Sequence, residues 1–276
     1  MPGAAPSGEE LRVRSRDVAL LGEQAGEGLP VVLLHGLTAT RRYVVMGSRL
    51  LERSGHRVIA YDARGHGRSG APADPTAYSY EHLRADLNTV LEGVGVERAV
   101  LAGASMGAHT ALSFGLDSPE RVRALCLITP SFDPSIDSDH SGWDALARGL
   151  RDGGIEGFAA AYDLESVPER WRATVEKVLH QRLSEHADLR SVADALEAVP
   201  RSRPFENMSE LERVTAPTIV VASRDEADPG HPQAVGERYA QAIPGARLAI
   251  EDEGASPIAW QGGALSRLIA EVSAGS

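Results

Sequence analysis

Short unbroken apolar runs recur along the chain, at Val31–Leu34, Val58–Tyr61, Ala99–Ala102, Ala124–Ile128, Thr218–Val221 and, in weaker form, Arg247–Ile250. A strand with one wet face alternates apolar and polar residues, whereas a run without alternation suits a strand covered on both faces, the state of a central parallel sheet. Leu11–Leu20 mixes polar, apolar and β-branched residues and predicts entry strands at the sheet edge. Between the runs, apolar residues return at helical spacing: Val44, Leu50 and Leu51 before Gly55, Leu83, Leu87, Val90 and Leu91 before Gly93, and Val235, Tyr239 and Ile243 before Pro244–Gly245. Glycine or proline then stops each helix. Strand and helix in this alternation predict an α/β fold, a mostly parallel, doubly wound sheet with helices on both faces.

One interval breaks the rhythm. From Ser131 to Leu211 no interior strand is evident, and helix-like segments at Trp143–Leu150, Trp171–Leu183 and Leu189–Val199 follow one another. The expected organisation is a core of residues 1–130 and 212–276 with a helical cap of residues 131–211 over the C-terminal edge of the sheet, where open α/β sheets bind ligands. Trp143, Phe158, Tyr162 and Trp171 would either line a cavity there or pack the cap's own core.

A chain of 276 residues suits one large core with an insertion. Its formal net charge of -11 disfavours nucleic acid and anionic lipid as partners. No stretch approaches the about 20 apolar residues that cross a bilayer, and the first ten residues lack a signal-peptide pattern, so a cytoplasmic protein without membrane insertion is expected. The single cysteine, Cys126, falls in a predicted interior strand and reads as a core thiol. Oligomeric state is not legible.

The strongest local signal is Gly103–Ala104–Ser105–Met106–Gly107, directly after the strand Ala99–Ala102 and before the helical stretch Ala108–Leu116. So sharp a strand-to-helix turn strains the serine backbone and lifts its hydroxyl above the sheet, and small residues on either side let strand and helix pass. The hydroxyl would also stand at a helix N-terminus, which favours developing negative charge.

Three further segments join this one. His35–Gly36–Leu37 follows the first interior strand, Tyr61–Ser69 reads Tyr-Asp-Ala-Arg-Gly-His-Gly-Arg-Ser, and Ala222–Asp225 precedes Pro229. Together they resemble the α/β-hydrolase fold, in its lipase, esterase and haloperoxidase-like branch. The resemblance covers roughly residues 31–128 and 216–269. It implies Ser105 as nucleophile, backbone N–H groups of Leu37 and Met106 as an oxyanion hole, His35 and Gly36 as loop support, and Asp225 as the orienting acid. Asp228 is a nearby alternative acid, and either aspartate could instead cap the helix beginning near His231. Asp62 and Arg64 would hold a turn. No cofactor is implied. No histidines stand at metal-ligand spacing with supporting acids, so no metal is expected, and Gly65–His66–Gly67 is not a phosphate loop.

The family's base, a histidine, belongs in the loop after the last strand. That loop is Glu251–Asp252–Glu253–Gly254–Ala255–Ser256–Pro257, and Ala255 occupies the histidine position. Alanine can neither accept the serine's proton nor return it to a leaving group. Three accounts stay open. Ala255 could be an engineered replacement, another histidine could serve as a relocated base, with His231 the first candidate, His140 another and His109 expected to point away, or the fold could serve a non-catalytic or non-hydrolytic role by binding a small carbonyl compound. The resemblance implies a serine-dependent carboxylic ester or related acyl hydrolase by ancestry, with a small hydrophobic carbonyl-containing substrate. Ala255 leaves the activity of this chain open.

Overall fold

The computed structural model describes residues 8–136, 139–226 and 228–275. A hairpin opens the chain, β1 (Glu9–Ser15) and β2 (Val18–Ala25), followed by β3 (Leu29–Leu34), β4 (His56–Tyr61), β5 (Ala99–Ala104), β6 (Val122–Ile128), β7 (Thr218–Ala222) and β8 (Arg247–Ile250). These form one sheet in the order β1-β2-β4-β3-β5-β6-β7-β8. The two pairings of β2 are antiparallel and all pairings from β4 to β8 are parallel.

Alternate residues of each parallel strand feed opposite faces, because successive side chains of a strand point to opposite sides. In β6, Leu125 and Leu127 join one cluster with Leu87 and Leu91 of α2 (Tyr80–Gly93), Leu112 of α3 (Met106–Asp117) and Tyr239 of α7 (Gln233–Ala242). Ala124, Cys126 and Ile128 face the other way, with Leu51 of α1 (Leu50–Arg53) and Leu265 and Ile269 of α8 (Gly262–Ala274). Both sides are dry, so these strands can be apolar without alternation. Cys126 is fully buried, and burial pushes its thiol up to about 12. The helix expected from Val44 to Leu51 is a correction: only a 3-10 turn at Arg41–Tyr43 and the one-turn α1 form there.

Between β6 and β7 stand α4 (Ser141–Ala161), α5 (Glu169–Leu183) and α6 (Leu189–Ala198). The α4 axis breaks at Gly154, whose φ of 60 and ψ of -143 are non-helical. Leu150, Phe158, Leu179, Leu183, Val192 and Leu196 give this helical insert its own core, and Leu37 packs against it from the sheet side. Phe158 and Tyr162 stack inside the insert, Trp143 is exposed, and Trp171 sits edge-on to Trp260 of the main body. Among the described residues no helix is long and apolar enough to cross a membrane.

Candidate active site

Ser105 has φ 50 and ψ -113, a conformation that non-glycine residues avoid and that persists only where surrounding structure holds it. Two bonds do the holding. Its N–H donates to Ile128 O of β6 at 2.9 Å, and its carbonyl accepts the His109 amide of α3 at 3.1 Å. The glycines explain why the turn closes. A Cβ on Gly103 would stand 2.1 Å from Gly107 O, and one on Gly107 would stand 2.1 Å from Leu34 O, so strand, helix and β3 meet at backbone distance. Ser105 itself is only half-buried, and its hydroxyl has no hydrogen-bond partner among the described residues.

The loop after β3 lies over this turn. A Cβ on Gly36 would be 3.5 Å from Ser105 Cβ, and Leu37 packs with Met106 in one cluster. The Leu37 and Met106 amides donate to no other described residue, Met106 being the first residue of its helix. Both amides are thus without an acceptor among the described residues. His35 is buried, donates from Nδ1 to Gly36 O at 2.8 Å and accepts the Ala63 amide at Nε2 at 2.8 Å. Both ring nitrogens are occupied in holding loops, and burial lowers its pKa. Asp62 accepts the Arg41 and Arg68 amides, and Arg64 pairs with Asp86 at 2.7 and 2.6 Å inside the core.

Among the histidines, His109 has both nitrogens occupied. Nε2 accepts the Ser131 and Phe132 amides at 3.0 and 3.1 Å and Nδ1 meets Tyr80 Oη at 2.9 Å; burial brings its pKa down to about 3. His140 stands at the N-terminus of α4, with no side-chain cap bond. His186 belongs to the insert rather than to the serine turn. It is half-buried and spans two loops, donating from Nε2 to Thr38 O at 3.1 Å and accepting the Gly67 amide at Nδ1 at 2.8 Å.

The loop after β7 separates its two aspartates. Asp225 is exposed and its Oδ1 accepts the Gln233 amide at the start of α7, at 2.6 Å. It bonds to no histidine among the described residues. Asp228 instead holds His231: Nδ1 lies 3.0 Å from both carboxylate oxygens, and the His231 amide donates to Asp228 O at 3.1 Å. Burial would lower the pKa of His231, but the charge of Asp228 and its hydrogen bond outweigh burial and leave it raised. With Nδ1 engaged, Nε2 remains without a partner among the described residues. The loop starts two strands from Ser105 in the sheet order β5-β6-β7, and Thr129 N–H, one residue past β6, donates to Val221 O at 2.7 Å. His231 is close enough for its charge to depress His109, one turn beyond Ser105.

Ala255 is exposed in a turn closed by its amide on Asp252 O at 3.0 Å. Sequence reading missed what shapes this loop. Glu251 is buried; Oε1 accepts the Arg224 amide at 2.7 Å, Oε2 accepts the Ile258 amide at 3.2 Å, and its carbonyl accepts Arg224 Nε at 3.0 Å. The loop after β8 is thereby tied to the loop that carries His231. A carboxylate that accepts two main-chain amides, one 27 residues before it and one seven after it, leaves no local signal. No group of three or more His, Cys, Asp or Glu able to hold a metal occurs among the described residues.

Comparison with known proteins gives a consistent picture. The family described as alpha/beta hydrolase fold matches residues 30–159. A 2-hydroxy-6-oxononadienedioate/2-hydroxy-6-oxononatrienedioate hydrolase of Pseudomonas putida is 32% identical over 257 residues, 87% of this chain and 86% of that protein. Among solved structures, the enol-lactonase of Burkholderia xenovorans LB400 superposes with a TM-score of 0.77 at 24% identity, covering 95% of this chain and 99% of that one. A thermophilic esterase of Thermogutta terrifontis reaches 0.79 at 21% identity, covering 96% and 97%.

Proposed function

We propose that this chain, which belongs to the α/β-hydrolase-fold family, hydrolyses a carboxylic ester or related acyl bond through Ser105. The observation that carries the reading is the strained Ser105 turn with the unpartnered amides of Leu37 and Met106 beside it. The helical insert acts as the cap over this edge of the sheet. The relatives, an oxononadienedioate/oxononatrienedioate hydrolase in Pseudomonas putida and an enol-lactonase and an esterase among the solved structures, are hydrolases of carbonyl compounds, which fits this reading.

Each step falls to a residue of this chain. Ser105 Oγ attacks the carbonyl carbon while its proton passes to His231 Nε2, and the carbonyl oxygen takes negative charge. The Leu37 and Met106 N–H groups receive that charge, which is worth most where donors are already in place. Asp228 keeps Nδ1–H pointed at itself and stabilises the imidazolium. The imidazolium then gives its proton to the leaving alcohol as the tetrahedral carbon collapses to an acyl-serine. Water, deprotonated by His231, releases the acid and regenerates Ser105. In this reading the base comes from the loop after β7 and Ala255 is bystander to the chemistry.

The test is hydrolysis of p-nitrophenyl acetate by the protein and by Ser105→Ala. The expected loss is at least about a thousandfold in kcat/KM. Equal rates for the two would remove the hydrolase reading and leave a fold that binds a carbonyl compound without turning it over.

A further inference from the structure

Of the five non-glycine residues with positive φ among the described residues, three stand in loops that follow neighbouring strands: Thr38 after β3, Ser105 after β5 and Thr129 after β6, with φ 64, 50 and 44. A β-branched residue in that region is an outlier, and such strain persists only where the surroundings impose it. Thr129 is held from two sides. Its N–H donates to Val221 O of β7 at 2.7 Å, and the Ser131 and Phe132 amides that follow converge on His109 Nε2 of α3 at 3.0 and 3.1 Å. The bend is thus fastened both to the strand that leads to the His231 loop and to the helix that Ser105 caps.

The side chain held there is not used by the fold. Thr129 is 5% exposed, yet its hydroxyl makes no hydrogen bond among the described residues. A hydroxyl taken out of water without a partner costs stability, and valine would fill the same shape without that cost. Its place gives it a use. The sheet pairs Ala104 with Ile128 and Ile128 with Val221, so Thr129 stands level with Ser105 on one side and Ala222 on the other. Neighbouring strands lie about 4.8 Å apart, so two such spacings separate the Ser105 turn from the end of β7, with Thr129 between them. His231 is near enough to His109 for its charge to be felt there, and His109 is the ring that holds the bend. Three groups without partners among the described residues, Ser105 Oγ, Thr129 Oγ1 and His231 Nε2, therefore belong in that order to the loops after β5, β6 and β7.

We propose that Thr129 Oγ1 relays the proton between Ser105 and His231. This inference rests on Ser105 as the nucleophile and His231 as the base, and it supplies the step that carries the proton across β6. As Ser105 Oγ bonds to the carbonyl carbon and the π electrons move onto the carbonyl oxygen, the Ser105 proton passes to Thr129 Oγ1. In the same motion the Thr129 proton passes to His231 Nε2, so the threonine ends as it began, a neutral hydroxyl. A hydroxyl is suited to this because it donates and accepts at once. The reverse hops bring the proton from the imidazolium to the leaving alcohol as its bond to carbon breaks.

The test has two arms. The first follows p-nitrophenyl acetate hydrolysis and thermal melting of Thr129→Val and Thr129→Ser. Thr129→Val is expected to melt no lower than the unaltered protein, since it removes an unpartnered hydroxyl, and to lose at least about a hundredfold in kcat/KM, whereas Thr129→Ser stays within about fivefold. In mixtures of light and heavy water, kcat/KM of the unaltered protein should curve with deuterium fraction, the mark of two protons in flight, and that of Thr129→Val should run straight. Full activity in Thr129→Val, a loss that Thr129→Ser does not restore, or the same dependence on deuterium in both proteins would overturn the relay. The second arm needs no turnover: labelling of Ser105 by diisopropyl fluorophosphate, read by mass, expels fluoride while the serine proton takes the same route. Labelling should slow at least about tenfold in Thr129→Val. Equally fast labelling at Ser105 in both proteins would overturn the relay and leave the nucleophile standing, whereas a Ser105 that takes no label would overturn both.

Discussion

Two aspartates three positions apart do different work, and their hydrogen bonds decide which does what. Asp225 satisfies an amide at the start of α7, where an anion is favoured by the free N–H groups and the helix field. Asp228 spends both oxygens on His231. If His231 is the base, His231→Ala lowers kcat/KM for an ester at least about a thousandfold, whereas Ala255→His changes it by less than about threefold. A large gain from Ala255→His, with His231→Ala active, would place the base back after β8. The pH profile gives the sign. A general base works when neutral, so kcat/KM rises with pH through the His231 pKa, which Asp228 holds above 6.5; Asp228→Asn removes the charge that raises it and moves the inflection down. The turn at Ser105 and Met106 was legible because adjacent residues build it, whereas Leu37, on the loop after β3, was named only through the family resemblance. The spacing of His231 from Asp228 was visible too, but spacing does not tell which of two nearby carboxylates turns inward. Glu251 gave no signal, since what distinguishes it is the pair of amides it accepts from two different loops.

At the scale of elements, the sheet was readable where burial on both faces forces continuous apolar runs, as in β5 and β6, whose alternate side chains feed two separate cores. The Val44–Leu51 region misled because apolar residues at helical spacing also arise in a loop that buries Val44 and Val45 against α8, and a helical period does not ensure a helix. The turn at Ser105 has a sharper physical requirement. Gly107 lies so near β3 that a Cβ would meet Leu34 O at 2.1 Å, Leu34 C at 2.5 Å and His35 O at 2.9 Å, all main-chain atoms that cannot rotate aside. Gly107→Ala is therefore expected to cost about 1–3 kcal/mol in urea unfolding. Because it wedges α3 away from the loop that carries Leu37, activity should fall more steeply than stability, by at least about a hundredfold while the protein remains folded under assay conditions. An active, equally stable Gly107→Ala protein would mean that β3 and α3 separate freely and that the amide pair is not held by this contact.

The molecule as a whole stores neutral histidines. His35, His66 and His186 form a chain of ring contacts, with centroids 5.2 and 5.6 Å apart, at the junction of the insert, the Thr38 loop and the Gly67 loop. His66 donates from Nδ1 to Arg64 O, and its buried Nε2 has no partner. Burial lowers the pKa of all three, His186 to about 4, and that of His109 in the core to about 3. The unfolded chain takes up these protons near 6.5 and the folded one does not, so the contribution of each ring is complete above pH 6.5 and is lost as pH falls toward its folded value. Each ring can tilt the unfolding free energy by up to about 1.4 kcal/mol per pH unit within that window. His231 has the opposite sign: its raised pKa gives stability that is full below 6.5 and is lost as pH rises through the folded value. One such ring opposes these four and His82, whose pKa burial also lowers. Easing of the net charge of -11 also opposes them on acidification, but that repulsion is spread over a wet, salt-screened surface. In 0.15 M salt, unfolding free energy from urea titrations should therefore fall steadily from pH 7 to pH 5, before carboxylates begin to protonate. A flat or rising course over that interval would mean that the junction admits protons without opening, and that the insert is held to the sheet by its apolar contacts alone.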